Sequence, residues 1–202
     1  MKHYKQLKII LASSSPYRLA QLQQHGFSAE SFTPNVDESD QTDEEPRVRA
    51  NRLAKAKAAS VKKRVKHTEN TLIVASDQVC HCNGDIYHKP GSMDLAANHL
   101  AHFSGRWVTF STALSVIKGN KPPVQSVEDY RIKFRSLPSK DIQEYVALDR
   151  PYDCAGAVKL ERFGLSLIED ADGRDQSSVI GLPMMALFDA MRALNLSIND
   201  YR

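Results

Sequence analysis

Apolar positions along the chain follow two rhythms. Short unbroken apolar runs alternate with longer stretches in which apolar residues recur every three or four positions, the pattern of buried strands interleaved with amphipathic helices. Lys8 to Ala12 reads as the first strand, and Ser13-Ser14-Ser15-Pro16 as a turn ending in the serine N-cap and first-turn proline of a helix that carries Leu19 and Leu22 and ends near Gly26. Phe32 to Glu38 predicts a short strand leading into an acidic loop, Glu38 to Glu45, most of whose acids read as solvated. Pro46 opens an alanine-rich helix to about Arg64, with Ala50, Leu53, Ala54, Ala58 and Val61 on one face. His67 to Asn70 turns the chain into the stretch Thr71 to Cys80, which starts as an unbroken apolar run, delivers Asp77 and continues as a strand to Cys82. Asn83-Gly84 is a strong hairpin signal, and Asp85 to His88 returns.

Beyond it, Ser92 caps a helix over Met93 to Phe103, closed by Gly105. Trp107 to Ile117 and Val127 to Phe134 form a second β-pair, expected to twist away into a subsidiary lobe. A helix over Pro138 to Ala147, capped by Ser136 or Ser139, a strand over Phe163 to Ile168 and a final helix from Gly181-Leu182-Pro183 through Leu194 complete the pattern. The fold class is mixed α/β: a central twisted sheet flanked by helices, in one domain over 1–202 whose two lobes share a cleft.

Residues that break this pattern are the candidates for chemistry. Asp77 follows a buried apolar run without a turn residue. It either caps a following turn or meets a lysine, an arginine or a metal, because a buried carboxylate without a partner is costly. Lys57 falls inside the apolar stripe of its helix, between Leu53 and Val61, so it either snorkels or meets an anion. The other basic residues of that helix read as a solvated side. Arg18 lies in the first turn of its helix, where a cation opposes the dipole unless an anion binds there; it is a surface arginine or a phosphate clamp. Counting back from the hairpin turn sets Lys89 opposite Gln78, one position from Asp77. Tyr152 to Ala157 is a small-residue turn suited to close approach by a ligand. If the chain after it is extended, Lys159 and Glu161 share a face.

Composition trims the options. A net charge of +3 suits an anionic substrate better than a nucleic-acid surface. Cations ring several helix faces without interleaved aromatics, which argues against nucleic-acid binding. Three cysteines fit free thiols in a reducing cytoplasm, and Cys80-His81-Cys82 lacks the second ligand pair of a zinc site. No apolar run has the length of a membrane span, and Met1 to Tyr4 does not begin a signal peptide. There is no Walker-type loop. Cations grouped with one or two carboxylates suit phosphoanhydride chemistry.

Ser13-Ser14-Ser15-Pro16-Tyr17-Arg18, Val36-Asp37-Glu38, Ala54-Lys55-Ala56-Lys57-Ala58, Ser76-Asp77-Gln78-Val79, Lys89-Pro90 and Val179-Ile180-Gly181-Leu182-Pro183 together resemble the ordered motifs of the Maf family of nucleoside triphosphate pyrophosphatases, over about Lys8 to Leu194. The resemblance implies an elongated two-lobed fold similar to the ITPase-like pyrophosphatases. It also implies hydrolysis between the α and β phosphates with a divalent cation, Mg²⁺ or Mn²⁺. In its terms Asp77 is the catalytic base, Arg18, Lys57 and Lys89 are phosphate ligands, and Glu38 joins Asp77 as a metal-site acid. Tyr17, Gln78 and Glu161 depart from the commonest family pattern and resemble the branch acting on 7-methyl-GTP. N7-methylation makes guanine cationic, so an aromatic ring gains about 0.5–2 kcal/mol by stacking on it. A carboxylate at Glu161 adds charge complementarity and acceptors for the guanine N–H groups. The alternatives are the same reaction on dTTP, UTP or CTP, and a nucleotide-sensing regulator of cell division. A homodimer is compatible with the reading, and Lys159 has no assigned role.

Overall fold

The computed structural model describes residues 7–66, 69–197 and 200, so the turn at His67-Thr68 and the segment Met1 to Tyr4 lie outside the described residues. Strand β1 (Lys8–Leu11) runs parallel to β2 (Ala29–Ser31) on one side and to β3 (Thr71–Cys82) on the other. On its far edge β3 pairs antiparallel with β5 (Trp107–Lys118), which pairs with β6 (Val124–Phe134), and β6 with β7 (Ile168–Asp172). The order is β2-β1-β3-β5-β6-β7, with the short β4 (Asp85–Tyr87) also set against β3. Among the described residues this is one mixed sheet of seven strands.

One detail of the topology makes the site. β1 pairs with Thr71–Val74 of β3, and β4 takes up the same edge only at Cys80–Cys82. No described strand covers that edge from Ala75 to Val79, and Asp77 sits in the opening. It therefore lies midway along a twelve-residue strand rather than at its end.

Helix α2 (Pro46–Lys62) covers one face of the sheet. Its alanines bring it close: Ala50 and Ala54 pack on Val79 and Ala113, and Ala58 on Ile73 and Ala75. The other face carries α1 (Pro16–Gln24), α3 (Met93–Phe103), α4 (Ser139–Asp149), α5 (Ser177–Ile180) and α6 (Met184–Ala193). Leu22, Leu187 and Met191 pack there against Leu11, Val74 and Leu114, while Leu100, Phe103 and Val146 pack with Cys80 and Phe110. The odd-numbered residues of β3 thus face α2 and the even-numbered ones face the five other helices. Asp77 and Gln78 emerge on opposite faces at the same opening.

The caps of α1 and α3 form as expected: Ser15 accepts from the Arg18 N–H and Ser92 from that of Leu95. In the first hairpin Asn83 and Gly84 both have positive φ, as a two-residue turn of this hand requires. Four expectations need correction. The second β-pair does not leave the sheet; β5 lies beside β3 through ten paired positions, Leu72–His81 against Lys118–Thr109. It is buried on both faces, polar Ser111, Thr112 and Ser115 included, and only a central place buries both. Phe32 extends the β1 ladder by one hydrogen bond, to the Leu11 carbonyl, after which Pro34 has no N–H to continue it, so the strand is Ala29–Ser31. Phe163–Leu167 is a 3₁₀ segment, because no partner strand is met until Ile168 reaches Phe134. Helix α4 starts at Ser139 after Pro138 with no side-chain cap, and its first turn carries Asp141 instead.

Candidate active site

The opening in β3 floors a cleft of about 520 Å³, walled by Ser13–Ser15, Tyr17 and Arg18 from β1 and α1, Glu38–Asp40 from the acidic loop, Lys57 from α2, His88 and Lys89 after β4, and Asp153–Ala155, Val158 and Glu161. That volume suits a small organic ligand. Each residue expected at the site from the sequence lines it.

Asp77 and Lys57 are the buried heart of the cleft, each 6% exposed. Lys57 Nζ donates to Asp77 Oδ1 at 2.6 Å and to Glu38 Oε2 at 2.9 Å. Lys57 does not snorkel; it meets two anions. The charge-assisted bond offsets the desolvation that a lone ion would suffer on either side. Glu38 is half exposed, and neither its Oε1 nor Asp77 Oδ2 has a hydrogen-bond partner among the described residues. Two carboxylates with open oxygens, already drawn together by an ammonium, fit a hard divalent cation that completes its shell with water and phosphate oxygens. Among the described residues no group of three or more His, Cys, Asp or Glu side chains forms a closed metal cage.

Glu38 is held in place by residues that periodicity marked as solvated. Buried Arg49 donates from Nη2 to the Glu38 carbonyl at 3.0 Å and pairs through Nη1 with Asp40, whose other oxygen is 3.4 Å from His88 Nε2. Arg52 grips Glu44 at 2.6 and 2.7 Å and reaches the Ser39 carbonyl. The acidic loop is therefore strapped to α2 rather than loose in solvent. A signal for Arg49 was present: it stands four residues before Leu53 and eight before Lys57, on the same stripe.

Arg18 is neither a plain surface residue nor a free clamp. Its Nε donates to the Gly181 carbonyl at 2.8 Å, and its Nη1 to the Ser76 carbonyl at 2.7 Å and to Ser13 Oγ at 3.3 Å. Burial draws the guanidinium below its ordinary pKa, against the opposing charges of Asp77 and Glu38. Gly181 accommodates this approach: it has φ +122°, and a Cβ there would stand 3.0 Å from Arg18 Nε. Lys89 follows the hairpin register past the last ladder pair, Cys80 with Tyr87, and so reaches the cleft free of the sheet. It is exposed and makes no ion pair among the described residues.

The far end of the cleft is built differently. Gln78 Nε2 lies 2.6 Å from the Ser178 carbonyl, 2.9 Å from that of Val179 and 3.2 Å from Thr112 Oγ1. Carbonyls only accept and the Thr112 hydroxyl is committed to Ser178, so the amide is fixed with Oε1 as its remaining acceptor. Half-buried Tyr17 donates its hydroxyl to both carboxylate oxygens of Asp153, at 3.1 and 2.9 Å, and Lys159 Nζ lies 5.3 Å from its ring centre. Burial, then Asp153, pushes the Tyr17 phenol far above its ordinary pKa. Burial opposes ionisation of Asp153 as well, but the Tyr17 hydroxyl and the Lys159 charge bring its carboxyl below the usual range. Glu161 is exposed at the mouth yet flanked by protein, and burial raises its pKa. Cys154, beside Asp153, has its thiol pushed up to about 12, chiefly by burial.

Two expectations change here. Val158 to Glu161 is not a strand, so Lys159 and Glu161 do not share a face: Lys159 is buried and Glu161 exposed. Gly156 serves the protein rather than a ligand; at φ +68° its missing Cβ would meet Cys80 Sγ at 2.5 Å. Asp153 was not singled out from the sequence, and as a turn residue it had no periodicity to mark it.

Comparison with known proteins bears on this arrangement. A protein of Idiomarina loihiensis named 7-methyl-GTP pyrophosphatase is 40% identical over 187 residues, 92% of this chain and 94% of its own. One of the same name from Aromatoleum aromaticum is 38% identical over 190 residues, 94% of this chain and 96% of its own. The solved structure of a HAM1 protein from Coxiella burnetii, 14% identical, is similar over 94% of this chain and 98% of that one, with a TM-score of 0.48. The model of the family described as Maf-like protein matches residues 8–194, and the chain belongs to that family.

Proposed function

We propose that the protein is a nucleotide pyrophosphatase that hydrolyses the α–β phosphoanhydride of 7-methyl-GTP to 7-methyl-GMP and pyrophosphate, removing a modified nucleotide from the cytoplasm. The observation that carries this reading is the Asp77–Lys57–Glu38 cluster, a buried carboxylate and ammonium at the floor of an open cleft with a second carboxylate above them. The names of the relatives support it.

In this mechanism Asp77 Oδ2 takes the proton of a water as that water's oxygen bonds to the α-phosphorus, and the bond from the α-phosphorus to the bridging oxygen breaks to release pyrophosphate. Lys57, anchored to Asp77 Oδ1, fixes the carboxylate and brings a positive charge to the phosphates. Arg18 offers Nη2, since Nε and Nη1 are anchored, and exposed Lys89 reaches in from the other wall. Glu38 and Asp77 would hold a divalent cation, Mg²⁺ or Mn²⁺, which when bound supplies Lewis-acid charge to phosphate oxygens. At the other end Tyr17 takes the face of the methylated base, Glu161 its N–H edge, and Gln78 Oε1 adds an oriented acceptor.

The test is incubation with Mg²⁺ or Mn²⁺ and 7-methyl-GTP, GTP, dTTP, UTP or CTP, with product identification. The expected result is nucleoside monophosphate and pyrophosphate, fastest from the methylated nucleotide. Diphosphate with orthophosphate would overturn the bond assignment, and faster turnover of dTTP, UTP or CTP the substrate.

A further inference from the structure

We infer that Asp153 and Lys159 act in opposite directions on recognition of a cationic base, both through the ring of Tyr17. The inference deepens the substrate reading above and rests on it for the identity of the base.

Lys159 Nζ stands 5.3 Å from the Tyr17 ring centre, its side chain is 9% exposed, and it is not among the residues lining the cleft. The lysine therefore occupies the ring from behind while the cleft side stays open. A resident cation engages the π density that a cationic ligand in the cleft would use, because both draw on the same quadrupole. Taken alone, Lys159 weakens Tyr17 as a seat for a methylated purine.

Asp153 counters it. Its carboxylate stands 3.5 Å from Lys159 Nζ and accepts the Tyr17 hydroxyl with both oxygens. The ion pair offsets the lysine's charge. The hydrogen bond draws the phenolic proton outward, which enriches the ring, and it fixes the ring's tilt. Lys159 has few other anchors: its next polar partner is the Arg150 carbonyl at 3.5 Å. Its charge thus acts mainly on Tyr17 and Asp153. Both are positioning residues, acting on the ligand through Tyr17.

Isothermal titration of 7-methyl-GMP and GMP reads the effect without depending on turnover. Asp153→Asn keeps an acceptor for the hydroxyl but removes the charge, and should lower the affinity ratio of methylated to unmethylated nucleotide about fivefold. Lys159→Met should raise that ratio about threefold. In a Tyr17→Leu background the Asp153→Asn effect should shrink below twofold, because the ring through which it acts is gone. Opposite signs are a signature that loss of local order does not produce. Ratios that stay put, or move together, overturn the inference. Asp153 is exposed, so should Lys159→Met fail to fold, Asp153→Asn with and without the Tyr17 ring still decides. A protein that shows these shifts but does not hydrolyse 7-methyl-GTP keeps the inference and loses the proposed reaction. One that hydrolyses it without the shifts does the reverse.

Discussion

The two ends of the cleft solve the problem of holding charge in different ways. At the proposed phosphate end Asp77 and Lys57 sit on a twelve-residue strand and a seventeen-residue helix, almost wholly buried, with carboxylate and ammonium paired at 2.6 Å. At the proposed base end Tyr17, Asp153 and Glu161 lie on a first helical turn and on irregular chain, partly open to solvent, with buried Lys159 beside the Tyr17 ring. Chemistry at a phosphorus atom needs groups fixed within a fraction of an ångström, and regular elements packed face to face supply that rigidity. Choice among bases needs only a difference in affinity, and a few exposed charges on loops suffice for it.

If this contrast is right, damage at the phosphate end is catastrophic and damage at the base end is selective. Asp77→Asn should lower turnover of every nucleotide by about a thousandfold, read in steady-state kinetics, with the fold kept because the amide oxygen still accepts from Lys57. Lys57→Met should abolish turnover and cost about 3 kcal/mol of stability in denaturant unfolding, since it leaves the buried Asp77 carboxylate without its partner. Retained stability would show the pair to be less buried in effect than its packing implies. Tyr17→Arg should shift the methylated-to-unmethylated kcat/KM ratio by about tenfold while the reaction itself persists.

The smallest effect joins function to pH. Glu161 has its pKa raised by burial, so the fold favours the protonated carboxyl. Its contribution to stability is present in acid, below the unfolded value, and is lost as pH rises through the raised one. Recognition of a cationic base needs the opposite, ionised form. Preference for the methylated nucleotide should therefore fall on acidification before an ordinary glutamate would protonate. Glu161→Gln should remove that dependence while leaving the protein no less heat-stable at neutral pH. A pH-dependent ratio that survives in Glu161→Gln would place the titrating group elsewhere.

The same contrast explains what was legible in the amino-acid order. Lys57 betrayed itself by standing in an apolar stripe, and Asp77 by ending an apolar run, because regular elements turn spacing into direction. The hairpin count agrees with the observed register as far as the ladder runs, to Cys80 with Tyr87; Lys89 lies beyond it and is paired with no strand residue among those described. Arg49 was readable by the same rule as Lys57 but was grouped with its basic neighbours. Asp153 and the place of Lys159 were not readable: they depend on how the chain around Gly156 packs on Cys80 and so brings both residues to Tyr17, a long-range matter that no local period records. The central place of β5 was hidden for a related reason, since a hairpin's sequence states its own pairing but not which neighbour its free edge will choose.

Arg18, Gln21, Ser76, Gln78 and Thr112 all send hydrogen bonds to backbone carbonyls between Ser177 and Leu182. The segment that completes the walls is thus translated after every side chain that binds it. Until those residues emerge, Gln21, the Arg18 Nε and the Gln78 amide lack the carbonyls that fix them. The emerging polypeptide carries its acid and its lysine early but acquires an ordered pocket only once residues 177–182 have followed, so a product cut short before residue 177 would lack a working site.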